Sequence, residues 1–444
     1  MGRAMRATVY LLSAAWLGCS DGVSTSTPTL YVGEELNCAI VRAAAEPADA
    51  GRDAEDTVDM GADAGIDARL DASDVDAGVD AGAEDGGEDA GAGVDAGAED
   101  AGTDAGTDAG SSAVPMRNQV GQLRCWGQGQ AQPAPLDLPG ALQAADLVLG
   151  GSTHCLVDGS GAYQCWGDAS RGQLAQAVQN PAGLTQLTVP VDDLQIARYG
   201  GAFLCGRAGN ELLCWGAGEQ GELGRQRLGD SAFPEPVALP DGELRAFALG
   251  ARHGCAVVGS EVRCWGDGSG GQLGEGSALV EPDPRAVTLP DDLAAALVDP
   301  AVAVALDAGE AFTCLQVGQS AWCWGDDTFG QLAQRAPVGT LGAVVAVPLE
   351  NIAAVSLGRE HACASDGSTV FCWGRADNER LGSNTINPIG PVRALASGIP
   401  QIGGQHGCVQ NGVQIRCWGA AEGGLLGPLQ TIDTAVPTQI PGLR

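Results

Sequence analysis

The sequence contains no lysine. That absence removes Walker-type phosphate binding, lysine nucleophiles and Schiff-base chemistry. Histidine is scarce too, with 4 in 444 residues, and neither a Gly-x-Ser-x-Gly elbow nor a calcium loop of spaced aspartates closed by a glutamate occurs. No acid, base or nucleophile set is assembled, so the chain is expected not to be an enzyme and to need no cofactor. Positive charge is short as well. The 23 basic residues face 56 acidic ones for a formal net charge of −33, which argues against a nucleic-acid partner. Beyond the N-terminus there is no run of eighteen apolar residues, and none of the chain reads as a membrane span.

What the sequence does have is repetition. Cys-Trp-Gly recurs seven times, at Cys125, Cys165, Cys214, Cys264, Cys323, Cys372 and Cys417. A second cysteine precedes each, at Cys38, Cys155, Cys205, Cys255, Cys314, Cys363 and Cys408, always five residues after a glycine. Most copies continue into a Gly-Gln-Leu-Gly-like turn and a proline-flanked apolar run such as PVALP at 236–240. A unit of about 45 residues, built seven times, is the signature of a radial or stacked array. Each unit reads as four short strands separated by glycine turns. In the fourth these are AFAL before Gly250, HGCAVV, EVRCW and AVTLP at 286–290. One four-stranded sheet cannot bury both faces, whereas seven packed around an axis can, so the expected fold is an all-β, seven-bladed propeller of four-stranded blades.

In five units the cysteines are nine apart, which centres a two-residue loop between them: Gly209-Asn210, Gly259-Ser260, Gly318-Gln319, Gly367-Ser368 and Gly412-Val413. Glycine first is what a type II′ hairpin requires. Counting outward, each cysteine then faces its partner at a non-hydrogen-bonded position, with Cα atoms about 4.5 to 5.5 Å apart, within reach of a disulfide. Fifteen cysteines are thus one near the N-terminus plus seven pairs, a usage that belongs to an oxidising compartment. A metal reading of His361, Cys363 and Cys372 fails on internal comparison. The position of His253, His361 and His406 is held elsewhere by Leu36, Thr153, Phe203 and Phe312, and a ligand is not exchanged for phenylalanine. The tryptophans fall on the opposite sheet face, where they are expected to pack against the next blade.

The run Gly-x-x-His-x-Cys, then Asp-Gly-x-x-x-Cys-Trp-Gly, then Gly-Gln-Leu-Gly resembles the repeat of the regulator of chromosome condensation family, from about Pro28 to the C-terminus. The resemblance implies a seven-bladed propeller. It does not fix a function, because relatives include a nuclear guanine-nucleotide exchange factor, a plant ultraviolet photoreceptor and a secreted bacterial inhibitor of β-lactamase. An exported chain meets no cytosolic GTPase, so exchange activity is not expected. A propeller lyase or hydrolase with a channel site, or a secreted inhibitor, are the alternatives to a binding scaffold.

Residues 1–18 carry Arg3, Arg6 and the apolar stretch ATVYLLSAAWLG, followed by Cys19. This resembles a bacterial lipoprotein signal, with Cys19 lipidated, residues 19–28 a tether and residues 29–444 the propeller; cleavage after Ala15 would instead give a secreted form. Export to an outer-membrane or surface position is expected, with membrane contact through the lipid alone. Residues 44–115 form an Asp/Ala/Gly-rich segment, and 44–110 carry 21 acidic residues against two arginines. Such a segment has too little apolar surface to fold. It lies within blade 1 if Cys38 pairs with Cys125, or before the propeller if it is a tether. Closing a hairpin over some 80 residues costs only about 2 to 3 kcal/mol more than a short turn.

The loops between Trp-Gly and the Gly-Gln-Leu-Gly turn start at equivalent places and differ in content, as expected of a scaffold carrying a specific face. Candidate contact residues there are Arg171, Glu219, Asp326, Asp327, Phe329, Arg375, Asn378 and Arg380, alongside Asp168, Asp267, Asp377, Glu379 and Glu422. Their acidic balance points to a basic or cationic protein or surface ligand, with Phe329 as an apolar anchor and the chain a monomer.

Overall fold

The computed structural model describes residues 28–41, 122–127, 130–135, 144–174, 184–187, 191–276, 279–334, 341–385, 390–428 and 430–441. The signal region, Cys19, the tether up to residue 27 and the acidic segment 44–115 lie outside the described residues.

Seven antiparallel sheets of four strands each follow one another along the chain. Blade 1 is β1 to β4 (Thr29–Val32, Leu36–Val41, Gln122–Gly127, Gln130–Pro135), and blade 2 is β5 to β8 (Ala144–Leu149, Thr153–Asp158, Tyr163–Gly167, Thr185–Gln186). Blade 3 is β9 to β12 (Asp193–Ile196, Phe203–Ala208, Glu211–Gly216, Ser231–Pro236), and blade 4 is β13 to β16 (Leu244–Leu249, His253–Val258, Glu261–Asp267, Val280–Ala286). Blade 5 is β17 to β20 (Val304–Ala308, Phe312–Val317, Ser320–Gly325, Val345–Ala346), and blade 6 is β21 to β24 (Ala354–Leu357, His361–Ser365, Val370–Gly374, Val392–Arg393). Blade 7 is β25 to β28 (Ile399–Ile402, His406–Asn411, Gln414–Gly419, Thr434–Gln439). The first strands of successive blades adjoin one another in a complete circuit, with β1 beside both β5 and β25, so the ring is closed and the first strands line its axis.

The motif glycines allow that circuit. A Cβ on Gly250, Gly309 or Gly358 would stand 2.6 to 2.8 Å from the carbonyl oxygen of Gly309, Gly358 or Gly403 in the following blade, too close for any side chain. Around them the seven cysteine pairs are disulfides, each in direct cross-strand register, with Cα atoms 4.0 to 4.1 Å apart, slightly closer than the spacing expected from strand geometry. Cys38 is bonded to Cys125 and β2 pairs with β3 from Leu36↔Gly127 to Val41↔Gln122, so residues 42–121 leave and re-enter the chain between two paired strands of blade 1. Blade 1 is complete and borrows no strand from the C-terminus.

Two expectations need correction. The fourth strand of blade 4 is Val280–Ala286, not the apolar run at 286–290. Val287 instead turns inward, is buried, and bonds through its N–H to Val262 O, while Thr288 N–H bonds to Gly274 O. The alternating apolar pattern marked the segment that packs beneath the blade's own Gly-Gln-Leu-Gly turn. The outer strands themselves carry prolines (Pro133 and Pro135, Pro234 and Pro236, Pro282 and Pro284, Pro437) or are only two residues long (β8, β20, β24), which blunts seven exposed sheet edges. The second correction concerns the tryptophans. Trp126, Trp215, Trp265, Trp324, Trp373 and Trp418 donate their indole N–H to a carbonyl of the preceding blade, not the next: Leu425, Gln173, Glu222, Gln272, Gln331 and Arg380 respectively, at 2.7 to 3.1 Å. Between blades 4 and 5 the chain adds α1 (Asp291–Leu297), which buries Leu293 and Leu297 in the blade 4–5 core.

Candidate functional site

Each blade sends two turns to the same face, the one between its first and second strands and the one after its third. They are tied by a repeated backbone bond: Asp168 to Ser152, Ala217 to Ala202, Asp267 to Arg252, Asp326 to Ala311, Arg375 to Glu360 and Ala420 to Gln405, N–H to O at 2.8 to 2.9 Å. The loops from which the candidate residues arise therefore emerge together.

The side chains within them are largely spent on building the loops. Asp326 accepts from Thr328 N–H at 3.1 Å and from Gln331 Nε2 at 2.8 Å, and Asp327 accepts from Leu332 N–H at 3.0 Å. Asp168 and Asp267 likewise cap the backbone N–H two residues on, at 2.9 Å, and these bonds hold the Asp168 carboxyl below the usual range. Arg171 joins blades 2 and 3 by pairing with Asp230 at 2.7 Å and Glu219 at 3.1 Å. A second group gathers across blades 5, 6 and 7. Phe329 is 40% exposed, the Arg375 guanidinium lies 4.7 Å above its ring, and Arg375 pairs with Glu360 at 2.8 Å and Asp377 at 2.7 Å. Asn378 donates to Gln405 Oε1 at 2.5 Å from a left-handed backbone, φ 56°. Arg380 is 2% exposed, paired with Asp377 and 3.5 Å from Glu360, so its guanidinium is not presented to solvent.

The histidines are interior groups. His253 Nε2 is 2.8 Å from Thr313 Oγ1 and His406 Nε2 is 2.8 Å from Asn37 Oδ1, each across a blade joint. Both are fully buried, and burial pulls their pKa down to about 4. His361 is equally buried, and neither ring nitrogen has a partner. The position that supplies Thr313 and Asn37, one before the first cysteine of the following blade, is Gly407 there. No cluster of histidine, cysteine, aspartate or glutamate suited to a metal occurs among the described residues.

One group escaped the sequence reading. In six blades a backbone N–H at the end of the first strand bonds to the carbonyl three residues on, as Gly250 does to His253; in blade 3 Ala197 N–H bonds to Phe203 O, six residues on. The motif glycine assigned there, Gly200, is thus not the equivalent residue, and the turn is three residues longer. The signal was present in the chain: three residues separate Leu249 from His253, but six separate Ile196 from Phe203. The longer turn carries Arg198 and Tyr199 toward the axis, where Arg198 meets Asp307 at 2.9 Å and Tyr199 is buried. Burial pushes the Asp307 carboxyl up against the pull of Arg198, and the Tyr199 phenol up to about 12. Beside this group a cavity of about 250 Å³ lies between Glu34, Glu35, Arg359, Gln405 and Glu422.

No family model matches the chain. Among curated proteins, 246 residues (53% of the chain) are 26% identical to the E3 ubiquitin-protein ligase HERC2 of Homo sapiens, and the Mus musculus protein matches equally; the match spans only 4% of those proteins. Among solved structures, Prp20p of Saccharomyces cerevisiae superposes with a TM-score of 0.59 at 18% identity, covering 74% of this chain and 88% of that one. Yeast RCC1 (Prp20) in its complex with Kap60 gives 0.60 at 18%, with 79% and 91% covered. The fold is that of the regulator of chromosome condensation propellers. Human WBSCR16 shares it at a TM-score of 0.58 and 17% identity, over 70% of this chain and 85% of that one. Within this propeller type, the seven disulfides are a feature suited to an oxidising compartment outside the cytosol.

Proposed function

We propose that the chain is an exported propeller, anchored through a lipid on Cys19 at the cell envelope, that presents its loop face to a basic protein or surface ligand and binds without catalysing a reaction. The observation that supports this reading is the loop face itself: one backbone frame, repeated around the ring, carries loops of different content, as a scaffold for a specific site does. The disulfides support export. Prp20p is described by its binding to Gsp1p and histones, and yeast RCC1 as bound to Kap60, so a ring of this kind suits protein partners.

The proposed contact surface narrows on geometric grounds. Phe329, Glu219, Asp377, Glu379 and Glu422 face solvent, and Glu35 does so beside them at the mouth. Asp326, Asp327 and Arg380 hold the loops together, and their substitution would disturb the frame as well as the surface. The test is capture by the immobilised full chain of an envelope protein whose binding weakens with salt. Replacing Phe329→Ala, Glu379→Lys and Glu422→Lys together is expected to lower affinity at least about tenfold with an unchanged melting temperature. Unchanged capture would move the site to the opposite face or to the acidic segment.

A further inference from the structure

Among the described residues, several contacts join blades that are not neighbours. Glu34, in the turn between β1 and β2 of blade 1, accepts from the Tyr199 N–H of blade 3 at 2.9 Å and pairs with Arg359 of blade 6. Tyr199 donates its hydroxyl to Leu357 O of blade 6 at 2.9 Å, and Arg198 pairs with Asp307 of blade 5. In a ring of seven, contacts between blades 1 and 3, 3 and 5, 3 and 6, and 1 and 6 cannot follow the circuit of adjacent first strands. They span the axis.

We propose that the three-residue extension of the blade 3 turn is an axial latch, which closes the ring at its loop-face mouth and holds the first two strands of blade 1 in place through Glu34. Blades 7 and 1, the last and first in chain order, adjoin without sharing a strand, so blade 1 stays docked through contacts across the joint. Glu34 reaches three other blades from one turn, since Gly404 of blade 7 also donates its N–H to Glu34 O at 3.3 Å. The neighbouring turns make room for it. A Cβ on Gly404 would lie 3.1 Å from Glu34 Cγ, and one on Gly151 of blade 2 would lie 3.4 Å from Glu34 Oε2. Tyr199 takes a left-handed backbone, φ 57°, that costs a bulky residue free energy and persists only where surrounding contacts fix it. Asp307 completes the support, because its second oxygen accepts the Leu357 N–H at 2.8 Å and so fixes the same strand end that receives the Tyr199 hydroxyl.

A filler of the mouth would behave differently from a latch. If Arg198 and Tyr199 merely occupied space, their loss would loosen the blade 3 turn alone. Hydrogen exchange read by mass spectrometry on the full chain separates the two. Glu34→Gln, and independently the milder Tyr199→Phe, are expected to speed exchange across Thr29–Val41 about tenfold, as loss of a bond to a charged or buried partner does, while His253–Asp267 of blade 4 stays unchanged. Deleting residues 198–200, which gives blade 3 the turn length of the other six, is expected to do the same. Acceleration confined to residues 197–203, acceleration shared equally by all blades, or no change would each overturn the latch.

Discussion

His253, His361 and His406 occupy one repeat position but not one environment, and the difference is worth free energy. His253 and His406 satisfy Thr313 and Asn37 across a joint, whereas His361 faces Gly407 at the equivalent place and leaves both ring nitrogens unpaired. Since Phe203 and Phe312 stand at this position in blades 3 and 5, His361→Phe is expected to be neutral or stabilising. His253→Phe and His406→Phe strand a buried hydroxyl or amide and are expected to cost about 1 to 3 kcal/mol each in urea unfolding. The sign of the pH effect follows from the same burial. With folded pKa values near 4 for His154, His253 and His406, and one held well below its ordinary value by burial for His361, the unfolded chain takes up protons below pH 6.5 before the folded chain does. Stability is therefore held above pH 6.5 and lost as pH falls toward 4, with a slope approaching about 1.4 kcal/mol per pH unit for each histidine. Unfolding curves between pH 7.5 and 5.5 check this, and the His361→Phe variant should show the shallower slope. That these histidines are interior groups could be read from Phe203 and Phe312 in the chain; which of them lacks a partner could not, because the partner belongs to a neighbouring blade.

At the scale of strands, the repeat made most of the fold legible. Glycine-first hairpin loops placed the cysteines of five units opposite their partners, and Gly209, Gly259, Gly318 and Gly412 do take φ of 58° to 65°. What the pattern misplaced were the outer strands, where prolines and polar residues at the sheet edge carry no apolar period, and the direction of the tryptophan contacts, which a single blade cannot show. The bridges should not be equal. In the chain-entropy description, a pair nine residues apart contributes about 2.5 kcal/mol and the pair Cys38–Cys125, separated by 87, about 4.6 kcal/mol. Replacing Cys205 and Cys214 by alanine is thus expected to weaken a propeller that still folds, and replacing Cys38 and Cys125 to weaken it more. Deleting residues 46–112 should leave a folded ring and bring the second cost close to the first, as measured by denaturant midpoints. Trp215→Phe, which orphans the Gln173 carbonyl, is expected to cost more than Trp166→Phe, since Trp166 is half-buried and lies tilted against the His154 ring, 5.5 Å away.

Across the whole ring, the chain marked the propeller more clearly than it marked a site. Arg171, Asp326, Asp327 and Arg380 read as surface charges in sequence, yet Asp326 and Asp327 hold their own loop, and Arg171 and Arg380 are paired with Asp230 and Glu360, which only folding brings near. Glu34, Arg198 and Tyr199 gave a weak signal, three extra residues in one of seven turns. A single experiment addresses both the closed, cross-strand-stapled ring and the proposed export with a lipid anchor: peptide mapping of the mature protein under non-reducing conditions. It should return the seven pairs Cys38–Cys125, Cys155–Cys165, Cys205–Cys214, Cys255–Cys264, Cys314–Cys323, Cys363–Cys372 and Cys408–Cys417, with Cys19 as a lipid-modified first residue. Free thiols, pairs between blades, or an N-terminus at Trp16 without lipid would contradict it.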